Sequence, residues 1–119
     1  MLGMFPMSES RKNKKFFFVD PEFRAVIPIF KFHISKSLLR LVKKKPFKIT
    51  INKAFPDVVK SCATINRTET WINKEIESLF ISLHQMKKAH SLECWQNNQL
   101  VGGIYGLAIG GVFFAESMF

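Results

Sequence analysis

Apolar and polar residues along this chain alternate with two different periods, and the switches between them mark the elements. Met1 to Lys15 is polar and basic after a short apolar start. Phe16-Phe17-Phe18 then runs into Val19-Asp20-Pro21, and the whole opening reads as a loop that ends in an extended piece. Val26-Ile27-Pro28-Ile29-Phe30 is apolar but broken by proline, which predicts an edge strand or extended linker. Ser35 is placed to cap a helix that reaches Lys44 and is closed by Pro46. Phe47, Ile49 and Ile51 alternate with Lys48, Thr50 and Asn52, the signature of a strand with one wet face. A helix over Ala54 to Ala63 and a loop around Asn66-Arg67-Thr68 follow. Asn73 then caps a further helix, with Glu75 and Glu77 in its positively polarised first turn. Ile76, Leu79, Phe80 and Leu83 are its expected buried stripe, and Lys87 and Lys88 suit its end.

From Ala89 the period becomes two. Strands are predicted over Ala89 to Trp95, Leu100 to Leu107 and Val112 to Met118, joined by Gln96-Asn97-Asn98-Gln99 and by Gly110-Gly111. An antiparallel meander following helices is an α+β arrangement. It divides into residues 1–45, an N-terminal segment with a basic helix, and residues 46–119, a second unit. A meander of three strands leaves an apolar face in need of cover.

Composition narrows this picture. With 119 residues the chain is one domain's worth or a fragment of a larger one, and 47% hydrophobic against 23% charged residues argues for a packed structure. The net charge of +9 is concentrated: thirteen basic residues face three acidic ones up to Lys53, against five and six beyond it. A basic half attracts polyanions, either nucleic acid or an anionic membrane, and the bland alternative is a solvated basic surface. On a helical wheel Lys36, Arg40, Lys43 and Lys44 form one stripe opposite Leu38, Leu39, Leu41 and Val42. No carboxylate relieves the repulsion among those four cations, and a polyanion would.

Cys62 and Cys94, in a helix and a strand interior, have no spacing that suggests zinc, so buried free thiols in a reducing cytoplasm are expected, with no metal. No signal peptide is expected from Met1 to Ser10. Leu100 to Ala115 is uncharged but short of the about 20 apolar residues a membrane span needs, and its glycines favour strands, so no membrane partner is expected. Those glycines form neither GxGxxG nor GxxxxGK[ST]; they suit bulges and close backbone approach. Glu116 is the one carboxylate in this stretch, so its burial demands a partner unless it lies at a wet strand end. His33, His84 and His90 show no catalytic spacing. Ile104, Phe113 and Met118 read by themselves as core residues.

Four segments in order resemble the bacterial leucyl/phenylalanyl-tRNA-protein transferases: Glu69-Thr70-Trp71-Ile72-Asn73, Ala89-His90-Ser91-Leu92-Glu93-Cys94-Trp95, Leu100-Val101-Gly102-Gly103-Ile104-Tyr105-Gly106, and Gly110-Gly111-Val112-Phe113-Phe114-Ala115-Glu116-Ser117-Met118-Phe119. Gly3-Met4-Phe5-Pro6 and Asp20-Pro21 with Arg24-Ala25-Val26 resemble the same family's upstream motifs. The resemblance implies a cytoplasmic enzyme of the N-degron pathway. Such an enzyme moves Leu or Phe, and less efficiently Met, from aminoacyl-tRNA to the N-terminal Arg or Lys of a protein, tagging it for degradation, without cofactor.

It also implies a second unit that is the first part of an acetyltransferase-like (GNAT) domain. By the same resemblance Lys36, Arg40, Lys43 and Lys44 bind the tRNA acceptor stem, and Trp71 stacks near the terminal adenosine. Ile104, Phe113 and Met118 form the aminoacyl side-chain pocket, and Glu116 sits beside the aminoacyl ester. Met7 stands where many members carry Trp. The family's proposed catalytic Asp and Gln match no position here, so the expectation is an incomplete version of the enzyme that does not itself catalyse transfer; a non-enzymatic tRNA-binding remnant, or the relic of a degraded gene, is the alternative. An acyl-CoA-dependent acetyltransferase is disfavoured by the lack of a Q/R-x-x-G-x-G/A loop.

Overall fold

The computed structural model describes residues 4–119; Gly3 of the upstream motif lies outside them. Beside a two-stranded ribbon of β1 (Phe5–Met7) and β2 (Phe17–Val19), its centre is a four-stranded antiparallel sheet in the order β3 (Lys48–Ile51), β4 (Ala89–Gln96), β5 (Gln99–Ile109), β6 (Val112–Met118). The predicted meander is therefore widened by the strand read at Phe47 to Ile51. Asn97 and Asn98, at φ 51° and 62°, close the β4–β5 hairpin with the two left-handed residues that the twist of a tight hairpin requires. Gly110 at φ 58° opens the turn into β6.

One face of this sheet is covered by α2 (Phe55–Thr64), which also packs on α3 (Lys74–Gln85). Phe55, Val58, Val59 and Cys62 repeat at i, i+3, i+4 and i+7, so one stripe of α2 turns inward and is fully buried. It meets Ile76 and Phe80 of α3 and Ala89, Tyr105 and Leu107 of the sheet. Fully burying each large apolar side chain contributes about 1.5–3 kcal/mol. Asn73 caps α3 as predicted, its side chain accepting from the Ile76 amide at 2.8 Å. Of the expected stripe on α3, Ile76 and Phe80 are buried, but Leu79 and Leu83 are only partly so. Glu77 takes the buried place instead because Arg11 reaches it at 2.7 Å. The opposite face of the sheet is open: Ile49, Ile51, Leu92, Phe113 and Met118 are all exposed.

Strand alternation puts Ser91 and Glu93 on the covered face, and the buried Glu93 carboxylate organises the joint between β3, β4 and α2. It accepts from the hydroxyls of Thr50 and Ser91 and from the amides of Lys53 and Ala54, which lead into α2. Thr50 in turn accepts from the Trp95 indole at 2.8 Å. Burial pushes the Glu93 pKa up, yet these four donors outweigh it and hold it below the ordinary carboxylate value.

The N-terminal loop expectation is corrected. Phe5–Met7 and Phe17–Val19 pair antiparallel as β1 and β2, and the segment between them is clamped to the start of α3. Ser8 N donates to the Trp71 carbonyl at 3.1 Å, Asn73 Nδ2 to the Asn13 carbonyl at 2.8 Å, and Arg11 to the Ile72 carbonyl at 3.0 Å. These non-local bonds have no signature in sequence spacing.

Residues 22–48 are exposed throughout. The linker holds a single 3₁₀ turn at Ile29–Lys31 and then α1 (Lys36–Lys43), where Ser35 Oγ accepts from Leu38 N as the cap. The expected apolar side of α1 forms but buries nothing. Cys62 is buried as expected, whereas Cys94 is only half-buried because it faces the open side of the sheet.

Candidate functional site

At the β6 edge the strands and the loop between α2 and α3 form a cleft of about 310 Å³ lined by Arg67, Trp71, Ile104, Ala115, Glu116, Ser117 and Met118. A bulge shapes it. Ala115 pairs with Gly106 and Ser117 with Tyr105, so Glu116 is an extra residue in β6. Bulges bend a strand and re-aim side chains, and this one restores the alternation so that Met118 lies opposite Ile104. Gly106 makes it possible: a Cβ there would overlap the Phe114 carbonyl oxygen. Tyr105, next to it, points into the core between Phe55 and Phe80, and its hydroxyl finds no hydrogen-bond partner among the described residues.

The opposite wall is the loop at residues 65–73. Arg67 Nη2 donates to Ser117 Oγ at 3.4 Å and to the Met118 carbonyl at 3.5 Å, tying the loop to β6. Trp71 is fixed from behind through its backbone, by the Ser8 amide.

Burial raises the Glu116 carboxyl to a pKa of about 7, and the cation of Arg24 only partly opposes this. Arg24 itself lies 5.0 Å from the Phe5 ring centre and 5.8 Å from that of Phe114, which links the N-terminal ribbon to β6. Glu116 thus carries and releases a proton near neutrality. That is the range in which a carboxyl serves either as hydrogen-bond donor or as acceptor for an amine.

Of the residues singled out from the sequence, the structure brings Trp71, Ile104, Glu116 and Met118 into one cleft. Phe113 is not among the lining residues. It pairs with Ala108, before the bulge, and its ring lies over Gly106 at 41% exposure. Lys36, Arg40 and Lys43 on α1 and Lys44 at its C-cap are exposed, outside the cleft. The histidines have structural partners where the structure gives them any: His84 stacks on Phe55 at 4.1 Å and bonds the Ala89 carbonyl, and His90 bonds Asn52.

Among the described residues no group of His, Cys, Asp or Glu side chains is arranged to hold a metal, and no helix is long and apolar enough to cross a membrane. Arg67 was missed as a site residue. A lone cation in a polar loop carries no local signal, and only the tertiary contact with Ser117 and Met118 puts it in the cleft.

The family model described as leucyl/phenylalanyl-tRNA protein transferase matches residues 26–119. The leucyl/phenylalanyl-tRNA--protein transferase of Phenylobacterium zucineum is 51% identical over 98% of this chain and 54% of its own length. Those of Rhodospirillum rubrum and Hyphomonas neptunium are 49% and 48% identical over the same 98%, covering 56% and 46% of their lengths. The chain spans about half the length of the curated relatives it matches. A match through the whole sheet, both packed helices and every lining residue of the cleft establishes the relationship: this chain belongs to the leucyl/phenylalanyl-tRNA protein transferases, a family of enzymes.

Proposed function

We propose that this chain binds the aminoacyl end of Leu-, Phe- or, less well, Met-tRNA in the β6-edge cleft, for transfer of the amino acid to the N-terminal Arg or Lys of a protein. The observation that carries the reading is the convergence of an indole, a β-branched and a flexible apolar side chain and a neutral-range carboxyl at Trp71, Ile104, Met118 and Glu116. Those are the chemical needs of an aminoacyl-adenosine: a stacking face for the base, an apolar wall for the Leu or Phe side chain, and a polar group at the ester. Phe113, outside the cleft, is at most a second layer behind that wall.

In the reaction the acceptor's α-amine attacks the ester carbonyl, the tetrahedral oxyanion collapses, and the ribose oxygen leaves with the proton the amine gives up. Atoms balance without a cofactor. Positioning the two reactants and exchanging one proton are therefore the protein's tasks. Glu116 fits the second: near pH 7 it can accept from the ammonium or amine and return a proton toward the ribose oxygen. The basic stripe of α1 fits tRNA binding in a salt-dependent, sequence-indifferent way. The antiparallel sheet with α2 and α3 on one face supports an acetyltransferase-like (GNAT) reading for residues 46–119, with residues 1–45 as the tRNA-facing segment. A role in tagging proteins for degradation in the cytoplasm follows from the same reading.

Two measurements test it on this chain: a gel shift with Leu-tRNA and uncharged tRNA, and transfer of radiolabelled Leu to a peptide with N-terminal Arg. Tighter binding of Leu-tRNA than of uncharged tRNA is expected, with transfer weak or absent, because the family's proposed catalytic Asp and Gln match no position here. Equal binding of charged and uncharged tRNA would favour tRNA binding alone, through the exposed basic face of α1. Failure of a folded chain to bind Leu-tRNA refutes the proposal.

A further inference from the structure

Arg67 is the only cation among the cleft's lining residues, and none of the mechanism above uses it. Its two bonds, at 3.4 and 3.5 Å, are both made by Nη2 and lie at the weak limit of hydrogen bonding, so they orient the guanidinium without satisfying it. A guanidinium carries five N–H donors in a rigid fork. Among the described residues no carboxylate lies within ion-pair distance of it; the ion pairs there are Arg11–Glu77 and Lys74–Glu77. Arg67 is solvent-exposed, so its remaining donors stay open to an anionic group whose oxygens match the guanidinium fork, such as a phosphate.

The ligand proposed for the cleft has one anionic group close to its reacting end. The base, ribose and ester of an aminoacyl-adenosine carry no negative charge; the phosphodiester on the 5′ oxygen of that terminal adenosine does. Arg67 and Trp71 share one loop and one wall of the cleft. A base stacked on the indole would bring its 5′ side within the same cleft as Arg67. We infer that Arg67 is the phosphate-recognising residue of the cleft, binding the 5′-phosphate of the terminal adenosine and so setting the depth at which the aminoacyl ester enters. The inference rests on the aminoacyl-tRNA reading of the cleft. It differs from the α1 contacts in kind, since α1 offers a diffuse basic face and Arg67 a single fork within the site.

The test uses two non-hydrolysable probes, 3′-phenylalanylamido-3′-deoxyadenosine and its 5′-monophosphate, titrated calorimetrically against the chain. The 5′-phosphate is expected to tighten binding about tenfold, the gain of one charge-assisted bidentate contact. In Arg67→Gln the nucleoside keeps its affinity within about twofold and the phosphate gain disappears; in Arg67→Lys about half the gain, on a logarithmic scale, remains. Lys60→Gln, on an exposed position of α2, removes the same net charge and is expected to keep the full gain. Circular dichroism establishes that each variant is folded. A phosphate gain that survives in Arg67→Gln, or that Lys60→Gln abolishes, overturns the inference while leaving the cleft reading intact. If neither probe binds the folded wild-type chain, the cleft reading itself falls and the inference with it.

Discussion

Replacing Glu116 by Gln tests the electrostatics of the cleft most directly, because the sign of the effect runs against ordinary intuition about removing a charge. In the folded chain the carboxyl is raised from 4.5 to about 7 by burial. Between those values the unfolded chain is ionised at this position and the folded chain is protonated, so the folded state binds the extra proton and stability falls as pH rises. The stability tied to this group is fully present below pH 4.5 and is lost as pH rises through about 7. At 1.36 kcal/mol per pKa unit the rise corresponds to roughly 3 kcal/mol. Solvent access through the cleft mouth brings the expected effect to about 2 kcal/mol.

Gln keeps the shape and carries no charge at any pH. The expectation is that Glu116→Gln matches the wild type within about 0.5 kcal/mol at pH 4.5 and exceeds it by about 2 kcal/mol at pH 8. Urea unfolding followed by circular dichroism, at half-unit pH intervals over that range, gives the difference curve. Glu93 titrates identically in both proteins and cancels. A difference that stays flat with pH, or a Gln variant less stable than the wild type at pH 8, would show that Glu116 is not a desolvated carboxyl in the folded chain. On the proposed role of Glu116 in the cleft, the same substitution is expected to lower aminoacyl-nucleoside binding even as it stabilises the fold.

Glu93→Ala removes the acceptor of four donors at a buried joint and is expected to cost about 3–5 kcal/mol in the same unfolding assay. Because Glu93 titrates below the ordinary carboxylate value, the wild type loses this contribution as pH falls through that lowered pKa, and Glu93→Gln loses that part of its acid sensitivity. A loss below about 1 kcal/mol for the Ala variant would contradict the network. Tyr105→Phe deletes a buried hydroxyl with no partner among the described residues, so the melting temperature is expected to hold or rise; destabilisation beyond about 1 kcal/mol would reveal a hydrogen bond there. Replacing Lys36, Arg40, Lys43 and Lys44 together by Gln is expected to weaken charged and uncharged tRNA equally in a gel shift and to flatten the salt dependence by about 0.7–0.9 per lost phosphate contact. An unchanged salt slope would remove α1 from the tRNA surface.

Local rules made much of the fold legible. The Ser35 and Asn73 caps, the alternation at Ile49 and Ile51, the helix over Ala54 to Ala63 and the turns at Asn97-Asn98 and Gly110 are each decided by residues within one or two turns of each other. The sequence by itself therefore determined the element types from Ser35 onward, the order helix before meander, the basic face of α1 and, through the four motif segments, the family. It also marked Glu116 as anomalous, a carboxylate in an apolar run.

What only the tertiary structure decided depends on which distant segments become neighbours. The β6 bulge seats Glu116 and turns Met118 toward Ile104, while leaving Phe113 outside the cleft. Arg67 enters the site because a loop between two helices happens to meet the last strand. The β1–β2 ribbon, invisible as loop-like sequence, forms because its connecting segment is held by Asn73, Ile72 and Glu77. The physical reason is common to all three. Periodicity encodes which face of an element is buried, whereas register, bulges and loop docking are set by long-range pairing whose closure entropy is offset only once the rest of the fold is in place.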